Sequence, residues 1–192
     1  NIDLLNRIFA YFSINMSQIF SGTSIVNYLK SQNRECSKES LYNYLSFIIN
    51  SCVMNKVSRY DIHGKKVLAT LEKFYLTDVS FARIHSDKID IGASLENIVF
   101  NELLNRGYDV KIGILRNAEV DFVAQRGNEK KYFQVCYLLA TDETVKREFG
   151  AYDNVKDNYP KYVLSLDRFD FSQDGIIHKN IIDWLLENEE EK

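Results

Sequence analysis

One stretch, from Ala118 to Tyr137, constrains the fold of this chain more than any other. It reads AEVDFVAQRGNEKKYFQVCY, in which two alternating segments flank Gly127-Asn128. Glycine tolerates the positive φ that two-residue hairpin turns require, so this pattern predicts a β-hairpin. With the turn at that position, we expect Asp121 to lie opposite Gln134.

The two faces of this hairpin differ in chemistry, because successive side chains of a strand point to opposite sides. The apolar face is the expected core and consists of Val120, Phe122, Ala124, Phe133, Val135 and Tyr137. The other face is expected to carry a small polar cluster of Glu119, Asp121, Gln134 and Cys136.

Residues 1–85 are predicted to form a winged helix-turn-helix domain. Apolar spacing predicts three helices and a hairpin that turns at His63-Gly64, over Ile2–Phe12, Ile25–Lys30, 37–50, Val53–Ile62 and Lys65–Leu71. In such modules the third helix can enter the major groove of DNA while the hairpin contacts phosphate. The candidate nucleic-acid-binding residues are Lys38, Asn43, Lys56, Arg59, Lys65 and Lys66. The alternative is a winged helix that only packs against neighbouring domains, because the third helix has one lysine and no arginine.

Residues 86–192 are predicted to form an α/β domain, joined to the first by a short strand at 73–78 and an exposed connection at 81–90. The expected order is a helix, three strands, a helix and a strand, then a short strand and a final helix anchored by Trp184. These elements are expected at Gly92–Arg106, Tyr108–Ile114, the two hairpin strands, 143–155, Lys161–Leu166, Ile176–His178 and Ile181–Leu186. The acidic end, 187–192, is expected to be solvated.

Composition limits the class of protein. The chain has 192 residues, of which 45% are hydrophobic and 27% charged, as is typical of a soluble globular protein. No apolar run approaches the ~20 residues of a membrane helix, and three cysteines without a Cys-x-x-Cys pair favour a reducing cytoplasm. Residues 1–90 carry 11 Lys and Arg against 8 Asp and Glu, and residues 91–192 carry 13 against 19, which argues against a broad nucleic-acid surface in the second half.

The motifs Glu-Val-Asp-Phe-Val at 119–123 and Tyr-Phe-Gln-Val-x-Tyr at 132–137 resemble the C-terminal region of bacterial and archaeal AAA-type ATPases of uncharacterised role. That region is similar to a winged helix followed by a restriction-endonuclease-like, PD-(D/E)xK domain of order αβββαβ, and the resemblance covers nearly all of the chain. Neither GxGxxG nor GxxxxGK[ST] occurs here. Because the chain begins at Asn1 without a methionine, we expect it to be a piece of a longer protein whose ATPase domain, the only place for ATP, precedes it.

The resemblance also implies a site. In active enzymes of this fold, carboxylates from a helix and two strands hold Mg²⁺, and a lysine two residues after the second strand acid helps to activate water. Carried over to this sequence, Glu96 takes the helix position and Asp121 the first strand position, and these two would be the metal ligands of an active site. Gln134 replaces the second strand acid, and Cys136 stands where the lysine should be.

The expected function follows from that missing lysine. Lys131 should point to the opposite face of the sheet, so Arg147 in the following helix is the candidate for a relocated cation. We therefore expect a module without efficient cleavage that recognises DNA or a partner protein and is coupled to the ATPase. A Mg²⁺-dependent nuclease and a purely structural dimerisation module, which would make the protein a homo-oligomer, are the alternatives.

Overall fold

The computed structural model describes residues 1–88 and 90–187, without the side chains of 69 and 70, and shows an α/β protein. Part of the predicted acidic end, 188–192, lies outside the described residues. In chain order the elements are α1 (Ile2–Ile14), α2 (Gly22–Ser31), α3 (Lys38–Asn50), β1 (Met54–Asp61), β2 (Lys66–Leu76), α4 (Ser80–His85), α5 (Ile91–Asn105), β3 (Asp109–Ile114), β4 (Glu119–Arg126), β5 (Glu129–Val135), α6 (Asp142–Gly150), β6 (Lys161–Ser165), β7 (Ile176–Asn180) and α7 (Ile181–Leu186). No helix within these residues is both long enough and apolar enough to cross a membrane.

One mixed sheet runs through the whole described chain. Its strand order is β2-β1-β3-β4-β5-β6-β7, with antiparallel pairs at β1–β2 and along β3–β4–β5, and parallel pairs at β1–β3 and along β5–β6–β7. The residues of β1 from Arg59 to Asp61 pair with those of β3 from Ile112 to Ile114. The sheet therefore crosses the boundary predicted at residue 85, and the predicted wing is part of the same sheet as residues 86–192.

Both faces of the sheet are covered. Helices α5 and α7 pack on one face, where Phe100, Leu103 and Trp184 are buried against the strands, so the predicted anchoring role of Trp184 is confirmed. Helix α6 packs on the opposite face through Phe149. The helices α1–α3 form a separate apolar cluster with one residue each of β1 and β2, Met54 and Phe74. Burying apolar surface is the main favourable contribution to folding. Here apolar side chains are buried on both faces of the sheet and in the cluster formed by α1–α3.

The hairpin register is confirmed, since Phe122 pairs with Phe133 and both rings are buried. Strict alternation along β4 is wrong, however. Pairing with β3 advances from Lys111 to Gly113 while β4 advances three positions, from Val123 to Val120, which is the signature of a β-bulge. Two residues of the predicted core face lie elsewhere. The bulge sends Val120 to the α6 side of the sheet. Tyr137 follows the end of β5 and is 46% exposed.

Other element boundaries differ from the predicted ones. The strand predicted at 73–78 is the second half of β2, which is continuous from Lys66 to Leu76. The connection predicted as exposed contains α4, because Phe81 packs edge-on against Phe9 at 5.8 Å between ring centres. Helix α6 ends at Gly150 rather than near 155, because bonds of i→i−3 type tighten the chain there into turns.

The position of β3 between β1 and β4 generates a stability prediction. A Cβ added at Gly113 would lie 2.9 Å from Ile62 Cδ1, 2.9 Å from Val123 Cγ2 and 3.1 Å from Val120 Cβ. We expect Gly113→Ala to lower the free energy of unfolding by about 1–3 kcal/mol, measured by urea denaturation, because overpacking displaces neighbouring side chains. The control is Gly150→Ala, whose Cβ would meet only Asp153 Oδ2 at 3.6 Å. Equal stability of the two variants would contradict the packing observed at Gly113.

Candidate functional site

Helix α5 places Glu96 beside the sheet. The helix begins where the side chain of Asp90 accepts a hydrogen bond from the Ala93 N–H, the usual way to satisfy a free donor at a helix start. One turn later, the buried Asn97 amide accepts from the Leu76 N–H at 2.8 Å and donates to the Leu76 carbonyl at 2.7 Å. These two bonds fix the end of β2 against α5, and Glu96 consequently faces the side chains of β2.

A buried ammonium, that of Lys73, lies at the centre of the site. Its side chain is only 7% exposed, and its Nζ is 2.6 Å from Glu119 Oε1 and 3.3 Å from Glu96 Oε1. Tyr75, on the same face of β2, donates a hydrogen bond of 2.6 Å from its hydroxyl to the same Glu96 oxygen. The sequence reasoning missed Lys73, because it assigned β2 to a different domain from Glu96.

Asp121 and Gln134 lie next to each other, as the hairpin register predicts. The Asp121 N–H donates to Gln134 Oε1 at 3.2 Å, and the Val135 N–H donates to Asp121 Oδ2 at 2.8 Å. The backbone pairing of β4 with β5 runs only as far as Phe122 and Phe133, and beyond that pair these side chains connect the two strands. Asp121 is thereby buried in the sheet rather than presented at a surface.

Glu148 of α6 is the second site residue that sequence reasoning missed. Its carboxylate is 5% exposed and accepts from Gln134 Nε2 at 3.0 Å, and Arg147 holds the other oxygen from Nη2 at 2.6 Å. Arg147 itself is 72% exposed and pairs with its neighbour rather than with Asp121. The available signal was the position of Glu148 on the apolar side of α6, where an unpartnered carboxylate is rare.

The four residues predicted to share one face are divided between two. Glu119 contacts Lys73 on the α5 side, whereas Gln134 and Cys136 lie toward α6. The bulge is the reason, because it changes the alternation of β4 but not that of β5. Cys136 is buried in the α6-side core, and burial raises the pKa of its thiol to about 12. The thiol therefore stays protonated and unreactive at neutral pH.

Burial also shifts the pKa values of the two central carboxyls. Desolvation raises the pKa of Asp121 well above its ordinary value, and the nearby Glu96 carboxylate adds to the effect. Desolvation raises the pKa of Glu96 as well, although Lys73 and the Tyr75 hydroxyl oppose that rise. These shifts favour a proton on the carboxyl group of Asp121, a state that binds metal ions poorly.

A cleft of about 550 Å³ opens beside the cluster and is lined by Glu96, Cys136, Arg147, Glu148 and neighbouring residues. We tested whether the predicted ligands fit Mg²⁺, which demands octahedral oxygen coordination. Glu96 Oε1, Asp121 Oδ2 and Gln134 Oε1 each already accept a hydrogen bond from the protein. Within the described residues, no group of three or more His, Cys, Asp or Glu side chains is arranged to hold a metal ion. As arranged here, the predicted ligands do not fit Mg²⁺.

The six predicted nucleic-acid-binding residues do not share one surface. Side chains alternate along β1, so Lys56 and Arg59 point to opposite faces. Lys56 lines a groove beside α3, the helix of Lys38 and Asn43, and lies 3.7 Å from Glu72. The second set, which we call the hairpin basic group, consists of Arg59 and Lys66, both on the α5 side by register, and Lys65 in the turn between the strands.

The buried state of Asp121 generates a prediction about pH. A carboxyl with a raised pKa stabilises the fold fully below its unfolded value, near 3.8, and this contribution is lost as the pH rises through the folded pKa. Asn keeps an oxygen that can accept from the Val135 N–H. We therefore expect Asp121→Asn to gain stability relative to the unmodified chain between about pH 5 and about pH 8, measured by urea denaturation at both values.

The control for that experiment is Asp153→Asn, which changes an exposed carboxyl near the end of α6. Its stability relative to the unmodified chain should be the same at both pH values. A constant difference for Asp121→Asn would mean that Asp121 is not buried in the protonated form.

Comparison with known proteins finds relatives that this chain matches over only part of their length. No protein-family model matches the chain. An uncharacterized protein of Haemophilus influenzae is 32% identical over 187 residues, which cover 96% of this chain and 46% of that protein. Uncharacterized protein MJ1544 of Methanocaldococcus jannaschii is 34% identical over 139 residues, which cover 69% of this chain and 30% of that protein. The chain thus spans less than half the length of these curated relatives.

Proposed function

We propose that this chain is a nucleic-acid recognition module that does not cleave its ligand efficiently. In this proposal a winged helix-turn-helix is joined to a PD-(D/E)xK-like domain, and the module works as part of a longer protein that contains an ATPase. The hairpin basic group carries the proposal. Among the described residues, no ion pair joins Arg59, Lys65 or Lys66 to a carboxylate. Unpaired cationic side chains around the turn of a hairpin are suited to phosphate oxygens.

Several cations of the second half of the chain, by comparison, have internal partners. There Lys130 lies 3.8 Å from Asp157, Arg147 pairs with Glu148, and Lys179 pairs with Glu187. Internal partners screen such cations. In the described part of the chain, the hairpin basic group has one carboxylate beside it, that of Asp61, which lies opposite Lys66 and accepts from the Gly64 N–H. Three cations against one anion therefore leave the group positive. Helix α3 contributes little to this contact in the proposal, since Lys38 is its one basic residue.

The coupling to an ATPase has two supports. The motifs of the β4–β5 hairpin resemble those of AAA-type ATPase C-terminal regions, and the curated relatives continue well beyond the matched region. The proposed lack of cleavage is supported by the site, where Glu96, Asp121 and Gln134 are all engaged by protein donors and Cys136 replaces the lysine.

A DNA-binding measurement tests the recognition role. We expect a labelled DNA duplex to bind with an affinity that falls steeply with salt, because bound phosphates release counterions. Replacing both Lys65 and Lys66 by Ala should weaken binding and lower the salt slope by up to about two, measured by fluorescence anisotropy.

The matched control replaces Lys146 and Lys156, two exposed lysines of the second half, by Ala. The net charge changes by the same amount, so this variant should retain the binding of the unmodified chain. Binding that ignores salt, or that responds equally to both double substitutions, would exclude the hairpin basic group as a nucleic-acid surface and point to a protein partner.

A Mg²⁺-dependent nuclease is the second candidate, and one observation favours it. Lys73 brings a cation next to Glu96, which is the role that Cys136 leaves empty. In nuclease chemistry such a cation would stabilise the charge that develops on the phosphate. A lysine shared by two carboxylates is not free to do so without rearrangement, and this places the nuclease second.

Cleavage assays separate the two candidates. We expect no conversion of supercoiled plasmid or of single-stranded DNA in millimolar Mg²⁺ or Mn²⁺ above the background of Asp121→Asn. Cys136→Lys is a poor gain-of-function test, because the new ammonium would enter an apolar core. Metal-dependent cleavage that disappears in both Asp121→Asn and Lys73→Met would instead establish the nuclease.

A further inference from the structure

We infer that the ammonium of Lys73 takes the place of a divalent cation in this site, so that the fold is metal-independent and a cation site is exposed only when Lys73 is removed. The inference rests on the proposed lack of cleavage and adds a reason for it. The predicted ligands then do not fit Mg²⁺ because the ammonium of Lys73 already occupies the site.

The geometry around Lys73 is that of a cation held by oxygen ligands. Glu119 and Glu96 contact Nζ at 2.6 Å and 3.3 Å, and they reach it from two different elements, β4 and α5. Burial opposes the charge of Lys73, but the nearby carboxylates, Glu96 foremost, outweigh it and raise the pKa of the ammonium. Carboxylate oxygens converging from several elements are what hard cations require.

The position of Lys73 on β2 allows its ammonium to replace a metal ion at these carboxylates. The residue lies on β2, where Tyr75 points to the same face and stacks on Phe100 at 4.4 Å between ring centres. Beside this packed ring, the ammonium of Lys73 contacts the carboxylates of Glu96 and Glu119. A buried charge is tolerated only when it is paired, so neither Lys73 nor its carboxylates can lose the other without a large loss of stability.

Removal of the ammonium changes the chemistry of the cluster. In Lys73→Met, a side chain of similar length and no charge remains, and Glu96 and Glu119 lose the cation that both of them contact. Two ionised carboxylates that shared one ammonium repel each other once it is removed, unless another cation or a proton intervenes. Mg²⁺, Ca²⁺ or Mn²⁺ can then enter from the adjoining cleft, which Glu96 lines.

Thermal unfolding of the full chain with added divalent cation is the experiment, with MgCl₂, CaCl₂ and MnCl₂ as probes and NaCl of equal ionic strength as reference. The Tm of the unmodified chain should not respond to the divalent salts. The Tm of Lys73→Met should be lower in NaCl and should rise by a few degrees in MnCl₂ or CaCl₂, because ligands that bind only the folded state stabilise it. Adding Glu119→Gln to Lys73→Met should remove that rise.

Two controls keep the outcome specific. Lys111→Met breaks the surface ion pair of Lys111 with Asp109 and should create no response to divalent cations. Lys73→Arg keeps the charge and should also show none. If Lys73→Met does not fold in NaCl, refolding in MnCl₂ is the measurement: recovery of the folded state supports the inference, and failure to recover it overturns it.

The inference is also overturned if the unmodified chain itself gains Tm from divalent cations through Glu96 or Glu119, or if Lys73→Met gains none. DNA binding of Lys73→Met, measured in the same samples, separates this inference from the proposed function. The hairpin basic group does not include Lys73, so loss of metal response and loss of DNA binding are independent results.

Discussion

The charge of Lys73 is the constraint on which the rest of the structure depends. An ammonium that is 7% exposed must be paired, and its partners come from α5 and β4 while Lys73 itself comes from β2. The ion pairs therefore connect three elements that are distant in sequence, and Asn97 strengthens the same junction through both its hydrogen bonds to Leu76. Separating the two partners of such a pair leaves a buried charge without compensation, which costs much stability. These contacts therefore hold β2 in a single position.

That position also places the hairpin of β1 and β2 within the main sheet. Strand β1 is hydrogen-bonded to β2 on one side and to β3 on the other, so the hairpin is held within a sheet of seven strands. A wing that is part of the sheet cannot swing to meet a ligand. Only its turn, with Lys65, and the α5-side residues near it remain available to a ligand.

The parts of the fold that could be predicted from sequence depend on neighbours in the chain. Gly127-Asn128 and strict alternation around it determine which residues pair, and the pairing of Phe122 with Phe133 agrees. The bulge in β4 could not be predicted, because it arises from pairing with β3 rather than from any local signal. Lys73 lies 23 residues from Glu96 in the chain, and nothing in the sequence relates the two. The position of Glu148 on the apolar side of α6 indicates a buried carboxylate, but its partner Gln134 is known only once α6 is placed over β5.

Gln134 and Cys136 stand where the sequence resemblance predicts an acid and a lysine, and both residues are consistent with the internal cation. With Lys73 already present, a carboxylate at Gln134 would add negative charge beside Glu148, whereas the neutral amide donates a hydrogen bond to it. A lysine at Cys136 would bring a second buried cation toward a cluster that already has one, and the small thiol fills the α6-side core instead. Each of these residues fits the fold as a packing or hydrogen-bonding partner, so the cluster stabilises the protein through contacts among its own residues.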